Sequence, residues 1–194
     1  MSEFTSFVAM TQFEAQSYLS RFMEEMASSL ERLASLVSRD LTFTPSSLQE
    51  VWSQAMPLLA WRAGYQTPVP GQPGRQFQAT ELESPDDLPS WFHHPSSAGY
   101  ARFSAETLWL IDGTARYLGE TVIRNLGGNW ESGRERAKGY IFQNQPVVVG
   151  ITPAAVSPMQ TCAVLAAKAL GASPAKGPQS LNAVYDLWSG ELQE

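Results

Sequence analysis

Four charged residues, Asp112, Arg116, Glu120 and Arg124, follow one another at steps of four with alternating sign. On a helix, side chains four residues apart are neighbours, so each carboxylate can pair with the next guanidinium. Such a pair can transfer protons or hold an anion. The catalytic candidates are therefore Glu120, Arg116 and Asp112, with Arg124 as a binding candidate, in a groove under a proline-rich segment. The alternative is a solvated stripe of surface ion pairs, which would stabilise the fold little.

A second basic group lies further along the chain. Arg134, Arg136 and Lys138 are flanked by the aromatic residues Trp130 and Tyr140. Arginine and large aromatic residues dominate the binding energy of many protein interfaces. Arg134 and Arg136 are therefore binding candidates for a protein partner, and a wet hairpin loop is the plain alternative.

Metal, cofactor and nucleophile chemistry has little support. His93 and His94 are adjacent, their side chains diverge on any regular backbone, and the nearest acids, Asp86 and Asp87, stand six or more residues away. No phosphate-binding loop, dinucleotide-binding fingerprint or nucleophile elbow occurs. The single cysteine, Cys162, lies in an apolar stretch and is expected to be a buried thiol. We therefore expect no metal and no cofactor.

The opening segment carries the clearest helical pattern. Over residues 15–37, apolar residues recur at steps of four and three, which places them on one stripe of a helix. Leu30 and Leu33 of this stripe are expected to be buried by the next two helices, and a homodimer seam is the alternative. The stripe comprises Leu19, Met23, Met26, Leu30, Leu33 and Val37.

Two more helices follow. Thr44 and Pro45 suit a cap and a first helical position, and the second helix is expected to run to about Ala63 with a kink at Pro57. The third is expected from Ser104 through Asn125, ended by Gly127 and Gly128. Gly113 and Gly119 interrupt it, which indicates that another element crosses close to its backbone. Its buried stripe should comprise Leu108, Ile111, Ala115, Leu118, Val122 and Leu126.

Residues 64–99 contain six prolines and four glycines, a density that forbids long regular elements. This excursion is expected to be an insertion packed down by its apolar residues, or else a functional lid. The packing residues would be Phe77, Leu82, Leu88, Trp91 and Phe92.

The pattern changes after the third helix. Residues 129–132, 139–144 and 146–151 are predicted to be short strands of an antiparallel meander, and residues 158–170 and 180–188 to be helices. The expected fold is α+β and mostly helical, with about five helices and about three strands in a single domain over residues 1–194. Trp130 is expected to be buried against the third helix, with its indole N–H accepted or flanked by Glu120 and Arg124.

The composition of the chain disfavours nucleic acid and membranes as partners. The net charge of −6 disfavours nucleic acid, whose binding depends on clustered cations. No segment is apolar enough to span a membrane, and the N-terminus lacks the basic residues of a secretory signal. These observations favour a cytoplasmic protein.

Two stretches, residues 45–52 and 117–130, resemble a loose group of uncharacterised small bacterial proteins, many of them actinobacterial. Members of that group are similar in having a long first helix and a helix-to-strand junction that ends in Gly and Trp. The resemblance covers about a third of the chain and implies an architecture and no reaction.

The function that these features favour is a non-catalytic protein-interaction protein of the immunity, adaptor or accessory type. The alternative is a small-substrate enzyme or ligand sensor that uses the carboxylates and arginines of the third helix. Whether the protein is an enzyme stays open, with the balance against it.

Overall fold

The computed structural model describes residues 5–65, 88–94, 102–135, 139–171 and 180–190. Within them it is mostly helical, with seven α-helices and one two-stranded sheet. The helices are α1 (Gln12–Glu24), α2 (Met26–Val37), α3 (Pro45–Ala55), α4 (Ser90–His93), α5 (Ala105–Leu126), α6 (Pro158–Leu170) and α7 (Leu181–Gly190). The strands are β1 (Asn129–Ser132) and β2 (Pro146–Val149), and short 3-10 turns cover Phe7–Ala9 and Met56–Leu58.

The centre of the molecule is α5, which is buried over most of its length and packs against α2, α3, α6 and α7. Ser104 caps it through the Thr107 N–H, as predicted. Gly113 and Gly119 mark two close crossings. A Cβ at Gly113 would lie 2.8 Å from Leu33 of α2, and one at Gly119 would overlap the Trp130 indole.

The single helix predicted over residues 15–37 is wrong, because the chain breaks at Glu25 into α1 and α2. Tyr18 and Phe22 lie on the buried face of α1, whereas Met23, which belongs to the predicted buried stripe, is 40% exposed. Leu33 is buried as predicted, whereas Leu30 is only half-buried. The sequence contains no proline or glycine here, so the break has a tertiary cause.

The second predicted helix is too long. α3 begins at Pro45 under a Thr44 cap, as expected, but ends at Ala55, and Pro57 lies in the 3-10 turn that follows. Proline lacks the N–H that a continuing helix needs and clashes with the preceding turn. Most of the excursion lies outside the described residues, Phe77 and Leu82 among them. Its described end does pack down, with Trp91 buried and Leu88 and Phe92 against the core.

The predicted three-stranded meander is wrong in its middle strand. β1 pairs antiparallel with β2, with Trp130 opposite Val148, and residues 139–144 form turns instead of a strand. Gly139 and Asn144 both have positive φ, which ends regular extension there. The Asn144 amide instead donates to the carbonyls of Phe7 and Met10. This turn is therefore fastened to the segment before α1.

Candidate functional site

Asp112, Arg116, Glu120 and Arg124 form a charged ladder along α5, and its first two residues are buried. Asp112 and Arg116 are each 1% exposed, and the Arg116 Nε donates to Asp112 Oδ2 over 2.9 Å. The Ser29 hydroxyl of α2 donates to the same oxygen over 2.5 Å. The interpretation of the ladder as a solvated stripe is therefore wrong for this half, because packing of α1 and α2 on α5 removes it from water.

Arg116 also explains the break between α1 and α2. Its guanidinium donates to the Phe22 carbonyl, lies 3.8 Å from the centre of the Phe22 ring, and reaches Glu25 Oε2 at 3.3 Å. The last carbonyls of a helix have no partner within that helix. Arg116 supplies one, and so stabilises the end of α1 at this point.

Glu25 joins α1, α4 and α5. Besides Arg116 it accepts from the Arg21 Nε over 2.9 Å and from the Ser90 hydroxyl over 2.5 Å. Ser90 begins α4, at the described end of the excursion. Through this carboxylate, the described end of the excursion is attached to the buried ion pair.

One buried atom in this cluster has no hydrogen-bond partner among the described residues, and this atom is Asp112 Oδ1. Burial raises the pKa of the Asp112 carboxyl against the opposing effects of Arg116 and Ser29. A buried acceptor without a donor costs about 1–3 kcal/mol. A further hydrogen-bond donor beside Asp112 Oδ1 would therefore stabilise the cluster.

A cavity of about 280 Å³ adjoins this cluster. It lies between α1, α2, α5 and the described end of the excursion, as the groove hypothesis expected. Asp112 and Arg116 of α5 line this cavity, and so do Leu88 and Pro89 of the excursion. Trp109 lines it as well, and the Arg32 guanidinium lies 3.7 Å from the centre of its ring. The cavity therefore combines polar and apolar walls.

The other two residues of the ladder, Glu120 and Arg124, contact a different part of the structure. Glu120 accepts from the Trp130 indole N–H over 3.0 Å, as predicted, and from Arg124 over 3.3 Å. Arg124 is half-exposed and lies 3.5 Å from the centre of the Phe43 ring. Glu120 and Arg124 thus hold Trp130 and Phe43, and neither lines the cavity beside Asp112.

His94 packs against two aromatic rings. His94 lies 4.9 Å from Phe7 and 4.7 Å from Tyr18 between ring centres, and its Nδ1 is 2.9 Å from the Thr5 carbonyl oxygen. Burial lowers the pKa of both His93 and His94. Among the described residues, no group of three or more His, Cys, Asp or Glu side chains is placed to hold a metal ion.

A second concave surface, the α1–β1 groove, has a volume of about 530 Å³. Its walls are the N-terminal half of α1 and the chain from Trp130 to Arg134, which brings one predicted binding residue to a candidate site. Arg136 lies outside the described residues. Sequence patterns missed this groove, because it is created by how α1 packs beside β1.

No helix among the described residues has the length and apolar character that a membrane span needs. Comparison of the chain with protein-family models, with curated proteins and with solved structures found no match.

Proposed function

We propose that this chain is a non-catalytic protein-interaction protein of the immunity, adaptor or accessory type, and that it binds its partner at the α1–β1 groove and the surface around it. The supporting observation is the exposure of Phe13, Val8 and Ile141, which are 82%, 72% and 68% exposed. No large hydrophobic residue among the described ones is more exposed than these three. Contiguous exposed apolar surface is typical of interaction sites.

These three residues come from two segments that touch. Phe13 and Val8 lie at the start of α1 and in the 3-10 turn before it, while Ile141 lies in the turn that Asn144 fastens to Phe7 and Met10. Phe13 points away from the core, because the buried positions of α1 lie on the opposite side of the helix. The packing of the monomer therefore does not require a phenylalanine at position 13.

Site-specific photo-crosslinking tests the proposal in the cells from which the gene comes. A photoreactive phenylalanine analogue at Phe13 should give a discrete adduct that disappears in the Val8→Asp background. The matched control carries the analogue at Leu58, which is 42% exposed on α3's following turn. Adducts of the same size from both positions, or none from Phe13, would show that the exposed apolar surface around Phe13 binds no specific partner.

Ligand sensing or catalysis at the cavity beside Asp112 is the second candidate, favoured by Asp112 Oδ1, which accepts no hydrogen bond from any described residue. A small-molecule fragment screen followed by amide NMR tests it. Bound fragments should shift the amide resonances of Ser29 and Trp109, and Asp112→Asn should abolish those shifts. A screen in which no fragment perturbs either amide removes this candidate.

A further inference from the structure

β1 has one paired edge and one open edge, and the hydrogen bonds of β2 identify which is which. Val148 of β2 exchanges both backbone hydrogen bonds with Val156, so its N–H and C=O point away from β1. Because these groups alternate along a strand, those of Val147 and Val149 point towards β1. Their partners across the ladder are Glu131 and Asn129.

The same alternation leaves Trp130 and Ser132 with their N–H and C=O groups on the open edge. Neither residue has a backbone hydrogen bond there to any part of the chain that the structure describes. Both line the α1–β1 groove. Edge groups of this kind are the template on which another strand can pair.

The groove limits what can occupy this edge. α1 forms the far wall of this groove, so a partner must enter the groove to reach the edge of β1, and a single extended segment is narrower than a folded domain. Polar side chains such as Gln12, Gln16 and Gln143 predominate in its lining, and the apolar Met10, Ala15 and Leu19 contribute little because they are almost fully buried. Successive side chains of a strand point to opposite sides. Every second side chain of an occupant therefore meets a mostly polar surface.

We infer that the partner binds as an extended segment, which adds to the open edge of β1 and pairs with the backbone of Trp130 and Ser132. This inference rests on the proposed function and specifies the partner's chemistry. Main-chain pairing supplies affinity in such complexes, and the pockets for alternate side chains supply selectivity.

The first experiment selects phage-displayed random peptides on the whole protein and compares two variants of one residue. Ser132→Pro removes the outward N–H and fills the open edge, while the β2 side keeps its pairing, because proline is tolerated on a free edge. Ser132→Ala keeps the N–H. Selected peptides should bind Ser132→Pro roughly tenfold or more weakly than Ser132→Ala.

The second experiment keeps the parent sequence, so it holds even if Ser132→Pro unfolds. In the protein alone the Trp130 and Ser132 amides should exchange with solvent faster than those of Glu131 and Val147. Addition of a selected peptide should slow them to comparable rates. Slow exchange without peptide would mean that the chain itself or a second copy already occupies the edge, and would overturn the inference.

Selection that yields no peptide, or peptides that bind the two Ser132 variants equally, would also overturn it. The proposed function fails separately. A specific adduct at Phe13 together with equal binding to both variants would keep the interaction surface and remove strand addition. Absence of the adduct, with the Ser132 difference intact, would leave a peptide-binding edge that does not extend to Phe13.

Discussion

At the scale of single residues, the buried Asp112–Arg116 pair gains from being part of a network. Burying two charges costs several kcal/mol for each, and their attraction offsets this only when further hydrogen bonds satisfy both groups. Arg116 meets that condition through Phe22 and Glu25, whereas Asp112 meets it at one oxygen. Asp112 is consequently the weakest member of the network.

This arrangement predicts a pH dependence of stability. Burial raises the pKa of Asp112 above its ordinary value of 3.8, so the folded state holds this proton more tightly than the unfolded state does. The free energy of unfolding should then fall as pH rises from 3.8 through the folded-state pKa. Urea unfolding of the parent and Asp112→Asn across this range measures it. The advantage of the parent over the variant should shrink with pH, and a constant or growing advantage contradicts the raised pKa.

Trp130 provides the second residue prediction. Its ring is 9% exposed, lies 5.2 Å from the Phe22 ring centre and covers Gly119, while its N–H reaches Glu120. Trp130→Ala should lower the free energy of unfolding by about 3–5 kcal/mol, as large-to-small core changes do. Chemical denaturation measures the loss, and Trp130→Phe should lose less. An alanine variant that melts like the parent but no longer binds its partner would make Trp130 an interface anchor instead.

At the scale of elements, the stability of the helical layer depends on how closely α2 approaches α5. Leu33 is 1% exposed and touches the position where a side chain at Gly113 would begin. Glycine is unfavourable inside a helix by about 1 kcal/mol relative to alanine. Its presence here is explained by the crossing, which has no room for a methyl group.

Gly113→Ala should therefore destabilise the protein by about 1–3 kcal/mol, despite the better helix propensity of alanine. Gly190→Ala is the matched control, because a Cβ at that helical position meets nothing within 4 Å. The control should be neutral or slightly stabilising. Thermal and urea melts of the two variants decide the matter, and equal effects would mean that α2 and α5 are further apart than described.

At the scale of the whole molecule, α6 and its cysteine report on global unfolding. Cys162 is fully buried, and burial raises the pKa of its thiol to about 12. Only the thiolate reacts, so thiol reagents should modify Cys162 at the rate at which the whole chain opens. Labelling followed by mass spectrometry over a urea series tests this, with Cys162→Ser as the blank. Rapid labelling without urea would reveal a separate local opening of α6.

Features that depend on local chemistry could be predicted from the sequence. The caps at Thr44 and Ser104, the glycine pair after α5, the span of α6 and the burial of Trp130 follow from residue types and their spacing. The two glycines of α5 even indicated that other elements cross there. These predictions hold because caps, turns and amphipathic periodicity act over only a few residues.

Tertiary structure decided the rest. The break at Glu25 depends on Arg116, which lies 91 residues further along the chain. Burial of Asp112 and Arg116 depends on α2 and on the end of the excursion, and the periodicity of α5 alone is equally compatible with exposed ion pairs. Contacts between distant segments bury Asp112 and Arg116 and place Glu120 and Arg124 against Trp130 and Phe43. Such contacts also place the open edge of β1 beside α1. Local sequence carries no record of which distant segment will supply such a partner.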